Sequence, residues 1–222
     1  MMLNLFEVFD PSTLYFSLNW MSNLIGLLIF PQIYWLKISR LIWLMNMLMI
    51  NLWIEFKMLL INKFNYLNLM FFLVLFFYIM LNNLFGLFSY IFTSSSHMLF
   101  SLWMSISVWL MLMLYGWLNN MEFMFIHLVP SGTPFFLMFF MVLIETLSNL
   151  IRPLTLSIRL TANMIAGHLL LVLLSIFILD LMQFYMIILI FQILLMMLEI
   201  GVSIIQSYVF VILMILYLKE TN

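Results

Sequence analysis

"FFLMFFMVLIETLSNLIRPLTLSIRLTANMIAGHLLLVLLSIF", residues 135–177, is almost entirely apolar and has no cluster of Gly, Pro and Asn residues that would form a turn. As one helix it would be about 65 Å long, whereas the hydrocarbon core of a bilayer is about 30 Å thick. Pro153 alone would kink such a helix without reversing it. We therefore expect one long, steeply tilted helix here and a second over 183–218, packed as a hairpin. Division of each stretch into two spans is the alternative.

The composition of the whole chain indicates a membrane protein. Of its 222 residues, 68% are apolar and 7% are charged, against about 45–50% and about 25% in soluble domains. Segments of alternating hydrophobicity, as in membrane β-barrels, are missing from the sequence, so we expect an all-α polytopic fold. The net charge of −1 gives no reason to expect nucleic-acid binding. The lack of cysteine excludes disulfides and thiolate metal sites, and we expect neither a cofactor nor a metal.

The expected organisation is a single membrane domain, 1–222, with about five spans and one interfacial helix. Its parts are an amino-terminal region 1–36 with a span at 13–36, an interfacial helix at 37–63, a hairpin at 66–118, a loop at 119–134 and the long hairpin at 135–218. Four of the seven basic residues lie in 37–63, which places that segment on the matrix or cytoplasmic side and the amino terminus on the opposite face. A short second span is the alternative for 37–63.

Polar residues form one narrow stripe on each long helix. In a helical projection, Glu145, Ser148, Arg152, Thr155 and Asn163 all lie within about 40° of Arg159. On the next helix, Gln192, Ser203 and Gln206 lie within about 40° of Glu199, whereas His168 projects about 180° away from Arg159. Insertion of an arginine at mid-membrane costs a free energy of about 2.5 to 3.5 kcal/mol. We therefore expect the stripes to face protein or water and not lipid.

Several of these residues also have plainer interpretations. Arg152 could extend its charge to the interface, and Arg159 could form a purely structural ion pair with Glu199. His97 and His127 are interpreted as ordinary interfacial residues. Glu122 and Asp180 are interpreted as loop carboxylates, although Asp180 could stand at a channel mouth.

The chemistry of the stripes favours proton transport. An arginine does not release its proton at a useful rate, so it acts as a fixed barrier and counter-charge. Glutamate and histidine can take up and release protons in a wet path through a membrane. The sequence has no P-loop, no GxGxxG and no cluster with metal-ligand spacing, so we expect no nucleotide site and no catalytic role in this chain.

The segments "LIETLSNLIRPLTLSIRLTANMIAGH" (143–168) and "LEIGVSIIQSYVF" (198–210) closely resemble subunit a of F-type ATP synthases, and "NLFEVFDPST" (4–13) resembles the start of its insect mitochondrial form. The resemblance implies that Arg159, with Asn163 one turn further on, faces a rotating ring of c subunits between two offset half-channels. It places His168 and Glu199 in the half-channel from the intermembrane space, with Gln206 supporting Arg159, and Glu145 in the half-channel to the matrix.

The same resemblance implies a location in the mitochondrial inner membrane, with the amino terminus toward the intermembrane space and the carboxyl terminus toward the matrix. The expected partners are the c-ring, other FO stator subunits, the lipid bilayer and protons, and the nucleotide chemistry belongs to partner subunits. Two other classes stay open. A redox-driven subunit, either a haem cytochrome or an antiporter-like respiratory subunit, would need paired histidines or buried lysines, and a membrane anchor would have no use for polar stripes.

Overall fold

The computed structural model describes residues 5–13, 16–29, 31, 37–60, 66–88, 90–129, 134–180 and 182–221, and within them it contains helices and no strand. The α-helices are α1 Ser22–Ile29, α2 Arg40–Leu59, α3 Tyr66–Gly86, α4 Met98–Asn119, α5 Met121–His127, α6 Phe135–Asp180 and α7 Tyr185–Thr221. Short 3-10 helices at Leu5–Phe9, Leu18–Met21, Ser94–Ser96 and Met182–Phe184 join or precede them. Five of the α-helices, α2, α3, α4, α6 and α7, are long and apolar enough to cross a membrane. The expectation of an all-α polytopic protein with about five spans is confirmed.

The last two helices are long and continuous, as the sequence predicts. Helix α6 has 46 residues and α7 has 37, and the two pack against each other. Pro153 lies inside α6 without ending it. Because proline has no N–H, it leaves the carbonyl of Asn149, four residues earlier, without its helical partner. Two spans per stretch, the alternative considered from the sequence, are not formed.

Helix α4 packs against α6, and its own buried residues are small or mid-sized. The buried residues of α4 recur every three or four positions and are Ser101, Ser105, Val108, Leu112 and Gly116. Small residues let two helices approach closely. Close packing stabilises helix association in a bilayer, because lipid chains are as apolar as leucine and burying apolar side chains gives no driving force there. The buried hydroxyls of Ser101 and Ser105 each donate to a carbonyl of their own helix, three residues back. These two buried hydroxyls are therefore satisfied within α4 itself.

A hydrophobic cluster of buried residues lies where α3 meets α7, with the end of α2 beside them. Its fully buried side chains include Phe72 and Leu69 from α3, Val211 and Met214 from α7, and Phe56 from α2. This cluster fixes how α7 is rotated about its axis. The same rotation turns Glu199 and Ser203, about three and two turns before Val211 on α7, into the protein.

The amino-terminal region and the loops differ in detail from the sequence prediction. Within the predicted first span, 13–36, the structure describes the 3-10 helix Leu18–Met21 and the eight-residue α1, and positions 14–15, 30 and 32–36 lie outside the described residues. Helix α2 is itself long enough to cross a membrane, so the interfacial placement of 37–63 stays a prediction. The predicted loop 119–134 contains the short helix α5, and its Pro130 and Gly132 lie outside the described residues.

Candidate functional site

Arg159 lies on an exposed face of α6. Among the described residues, no side chain forms an ion pair or a hydrogen bond with its guanidinium group. Ala162 and Ala166, the only two alanines in the sequence, are exposed one and two turns further along α6. The structural ion pair with Glu199, considered as a plainer interpretation, is not formed. A permanent charge beside a strip of small side chains leaves room for a partner helix to approach closely.

Glu199 is buried on α7, with 7% of its surface exposed. Its carboxylate lies directly against Gly167 of α6, where an added Cβ would stand 2.8 Å from Oε1 and 2.9 Å from the carboxyl carbon. Neither carboxylate oxygen has a hydrogen-bond partner among the described residues. A small cavity beside the carboxylate is also lined by Asn163 of α6 and Leu87 after α3. Because an unpartnered buried carboxylate is costly, this arrangement points to water or protons at the site.

His168 lines a larger cavity, which we call the His168 cavity, with a volume of about 430 Å³. Its other polar lining residues are Tyr90, Thr93, Ser175 and Gln192, and Val8 of the amino-terminal segment also lines it. The His168 Nε2 atom is buried and has no hydrogen-bond partner within the described part of the chain. His168 and Glu199 are not hydrogen-bonded to each other, and they line separate, neighbouring cavities.

A second polar cavity, the Glu145 cavity, lies at the other end of α6 and has a volume of about 300 Å³. Its polar lining residues are Glu145, Thr146, Asn149, Glu220 and Thr221, and the indole rings of Trp109 and Trp117 contribute to its wall. Glu145 precedes Arg159 by 14 positions, or about 21 Å of helix, whereas His168 follows Arg159 by about 14 Å. The two cavities therefore lie on opposite sides of Arg159 along α6.

Arg152 pairs with carboxylates next to the Glu145 cavity. Its Nη1 atom lies 2.6 Å from Glu220 Oε2, and its Nη2 atom lies 3.7 Å from Glu145 Oε1. The guanidinium also stands over the ring of Tyr217, 5.3 Å from its centroid. Arg152 thus links α6 to the carboxyl-terminal end of α7, which is a more specific role than extending its charge to the interface.

Most of the remaining stripe residues are satisfied locally or lie at the cavities. The hydroxyls of Ser148, Thr155 and Ser203 each donate to the carbonyl three residues earlier in their own helix. This is a common way to accommodate a hydroxyl inside a membrane helix. Gln192 lines the His168 cavity, and Gln206 is half-buried and has no hydrogen-bond partner among the described residues. No group of three or more His, Asp and Glu residues in the described ranges could hold a metal ion.

Some residues at these cavities were not found from the sequence. Asn149 lies one turn after Glu145, so helical spacing could have indicated it. Glu220 could not be found in this way, because its partner Arg152 is 68 positions away in the chain. The side chains of Asp180 and His127 lie outside the described residues.

Comparison with known proteins identifies the family. The family profile described as "ATP synthase A chain" matches residues 16–219. The chain is 51% identical to ATP synthase subunit a of Drosophila melanogaster, 54% identical to that of Aedes aegypti and 51% identical to that of Anopheles gambiae. In each case the similarity covers 100% of both chains. With this full-length similarity and five helices able to cross a membrane, the chain belongs to the ATP synthase subunit a family, the membrane-sector subunit of that complex.

Proposed function

We propose that this subunit conducts protons through two half-channels and couples their flow to rotation of the c-ring. The observation that carries the proposal is the pair of polar cavities on opposite sides of Arg159 along α6. A proton cannot pass along α6 from one cavity to the other without meeting a fixed positive charge. It must instead leave one cavity on a carrier that moves past Arg159 and deliver it to the other.

In this mechanism the carrier is a carboxylate of each c subunit. Arg159 attracts that carboxylate when it is deprotonated and prevents direct proton passage. The exposure of Arg159 and the small side chains of Ala162 and Ala166 support close contact with the ring on this face. Asn163, one turn from Arg159 and next to Glu199, lies where a proton would transfer between the ring and the half-channel from the intermembrane space.

His168, Glu199 and Gln192 line the half-channel from the intermembrane space, Gln206 supports Arg159 from the second helix, and Glu145 lines the half-channel to the matrix. The positions of the chain ends support this orientation. Val8 lines the His168 cavity and Phe9 contacts His168, whereas Glu220 and Thr221 line the Glu145 cavity. We therefore place the amino terminus toward the intermembrane space and the carboxyl terminus toward the matrix, in the mitochondrial inner membrane.

The partners in this proposal are the c-ring, other FO stator subunits, the surrounding lipid and protons. ATP synthesis itself belongs to other subunits of the complex, and this chain supplies the proton path and one side of the rotor interface.

Crosslinking in the assembled complex tests which face meets the ring. In single-cysteine variants, Asn163→Cys is expected to crosslink to a c subunit, whereas Leu171→Cys, which lies in the His168 cavity, is not. The chain has no native cysteine, so each variant has one reactive thiol. The reverse pattern would place the rotor on the opposite face of α6 and overturn the proposal.

A glycine substitution tests the position of the Glu199 carboxylate. In Gly167→Ala the new methyl group overlaps the carboxylate, which must move. We expect ATP-driven proton pumping to fall about tenfold, because small displacements of reacting groups have large effects on rate. Gly201→Ala is the matched control, since nothing lies within 4 Å of a Cβ added there. Equal pumping by the two variants would show that the contact between Gly167 and Glu199 has no functional consequence.

A further inference from the structure

His97 has a specific contact that its expected role as an ordinary interfacial residue does not explain. Its Nε2 atom lies 2.8 Å from the backbone carbonyl oxygen of Phe9, 88 positions earlier in the chain. Because a carbonyl oxygen only accepts hydrogen bonds, Nε2 must carry the hydrogen and donate it. The bond therefore ties the amino-terminal segment to the turn before α4.

Aromatic rings hold the His97 imidazole in place. The ring of Trp20 lies 5.2 Å from the imidazole and that of Phe92 lies 5.1 Å from it, between centroids. A second tie reaches the same segment, since Asn19 Nδ2 donates to the carbonyl of Asp10 at 3.4 Å. Phe9 and Asp10, at the end of the 3-10 helix Leu5–Phe9, are thus each held by a side chain from elsewhere in the fold.

The residue that accepts the bond from His97 is also the residue that contacts His168. The Phe9 ring lies edge-on to the His168 imidazole, with centroids 6.4 Å apart and planes at 86°. Its neighbour Val8 lines the His168 cavity. An edge-to-face contact is favourable only over a limited range of orientations, so it restricts the rotation of the imidazole. His168 Nε2, which is buried without a partner among the described residues, is kept in that direction.

We propose that His97 is a positioning residue for proton uptake: through the Phe9 carbonyl it holds the amino-terminal segment over the His168 cavity, where the Phe9 ring orients the His168 imidazole. The role rests on the proposed function, in which His168 lines the half-channel from the intermembrane space. His97 acts through Phe9 and does not itself transfer protons. Losing its hydrogen bond opens one wall of the cavity and frees the imidazole.

Thiol labelling in the assembled complex tests the closure directly and does not depend on proton transport. A single cysteine at Ser175, an exposed residue of the cavity lining, is labelled from the intermembrane-space side with a charged, membrane-impermeant maleimide. His97→Ala and Phe9→Ala are expected to raise the labelling rate about fivefold, since each removes interactions comparable to one net hydrogen bond. His97→Gln, which retains an N–H donor, should restore the slow rate.

Phe6→Ala is the matched control, because Phe6 belongs to the same 3-10 helix but its side chain is 67% exposed. Unchanged labelling in both His97→Ala and Phe9→Ala, or an equal rise in Phe6→Ala, would overturn the proposal. If a variant fails to assemble, the position of the amino-terminal segment is tested instead in a chain with two cysteines, Val8→Cys and Ser175→Cys, which is treated with a short bis-maleimide. Both positions line one cavity, so a crosslink is expected and its absence also overturns the proposal.

The positioning role has its own functional readout. Passive proton flux through membranes stripped of the catalytic sector should fall about threefold in Phe9→Ala and His97→Ala and recover in His97→Gln, as a freed imidazole loses orientation. Unchanged flux in both alanine variants would show that the segment closes the cavity without positioning His168, which contradicts the proposal. Intact pumping in Arg159→Ala would instead contradict the proposed function, so the two failures are distinguishable.

Discussion

Substitution of Arg159 by alanine is expected to abolish ATP-driven proton pumping while the complex still assembles. Arg159 is exposed and has no ion pair or hydrogen bond among the described residues, so its removal leaves no cavity and no unpaired partner within this chain. In the proposed mechanism, the substitution removes the fixed charge that attracts the ring carboxylate. Removing a preorganised charge of this kind lowers rates by about a hundredfold or more.

The measurement is acidification of sealed membrane vesicles that contain the complex on addition of ATP, with complex assembly followed by native gel electrophoresis. Arg159→Lys is an informative comparison, because it keeps the charge and loses the planar guanidinium. Partial pumping by the lysine variant would indicate that charge is the main requirement. Normal coupled pumping by Arg159→Ala, with the complex intact, would refute the mechanism.

Replacement of Glu199 by leucine is expected to slow passive proton flux by about tenfold or more. A group that transfers protons usually contributes about a hundredfold to the rate. The same change should leave assembly intact or make the subunit more stable. Its carboxylate is buried, and both oxygens lack hydrogen-bond partners among the described residues. Exchanging an unpartnered buried polar group for an apolar group of similar size removes a desolvation cost.

A lower proton flux together with an unchanged or higher stability would separate a role in proton transfer from a role in folding. Flux is measured in vesicles from which the catalytic sector has been removed, and stability is measured by resistance of the complex to heating. Glu199→Gln keeps the shape of the side chain and should also lower the flux, because the amide cannot carry a proton. If the flux is unchanged in both variants, Glu199 does not lie on the proton path.

Helical periodicity accounts for much of the agreement between sequence and structure. Residues on one helix are related by about 100° per position, so the stripe containing Arg159 could be projected before any contact was known. The length of uninterrupted apolar sequence predicted two continuous long helices, which are confirmed. The roles assigned to the stripe residues, by contrast, stay predictions that the experiments above address.

Contacts between helices could not be predicted in the same way. The resemblance placed His168 and Glu199 in the same half-channel, and the structure puts the Glu199 carboxylate against Gly167, next in sequence to His168, without a hydrogen bond between the two. The pairing of Arg152 with Glu220 and the contact of Phe9 with His168 also join residues far apart in the chain.

The sequence by itself determined that the chain lies in a lipid bilayer and that its fold is all-α. It also determined the lengths of the last two helices and the angular positions of Arg159 and His168 on α6. The tertiary structure decided which side chains meet across helices, how the two cavities are lined and where the amino-terminal segment lies. The physical reason is that a lipid-facing leucine and a protein-facing leucine are equally apolar, so hydrophobic pattern does not tell one face of a membrane helix from another. That choice is made by shape, through contacts such as the Glu199 carboxylate against Gly167.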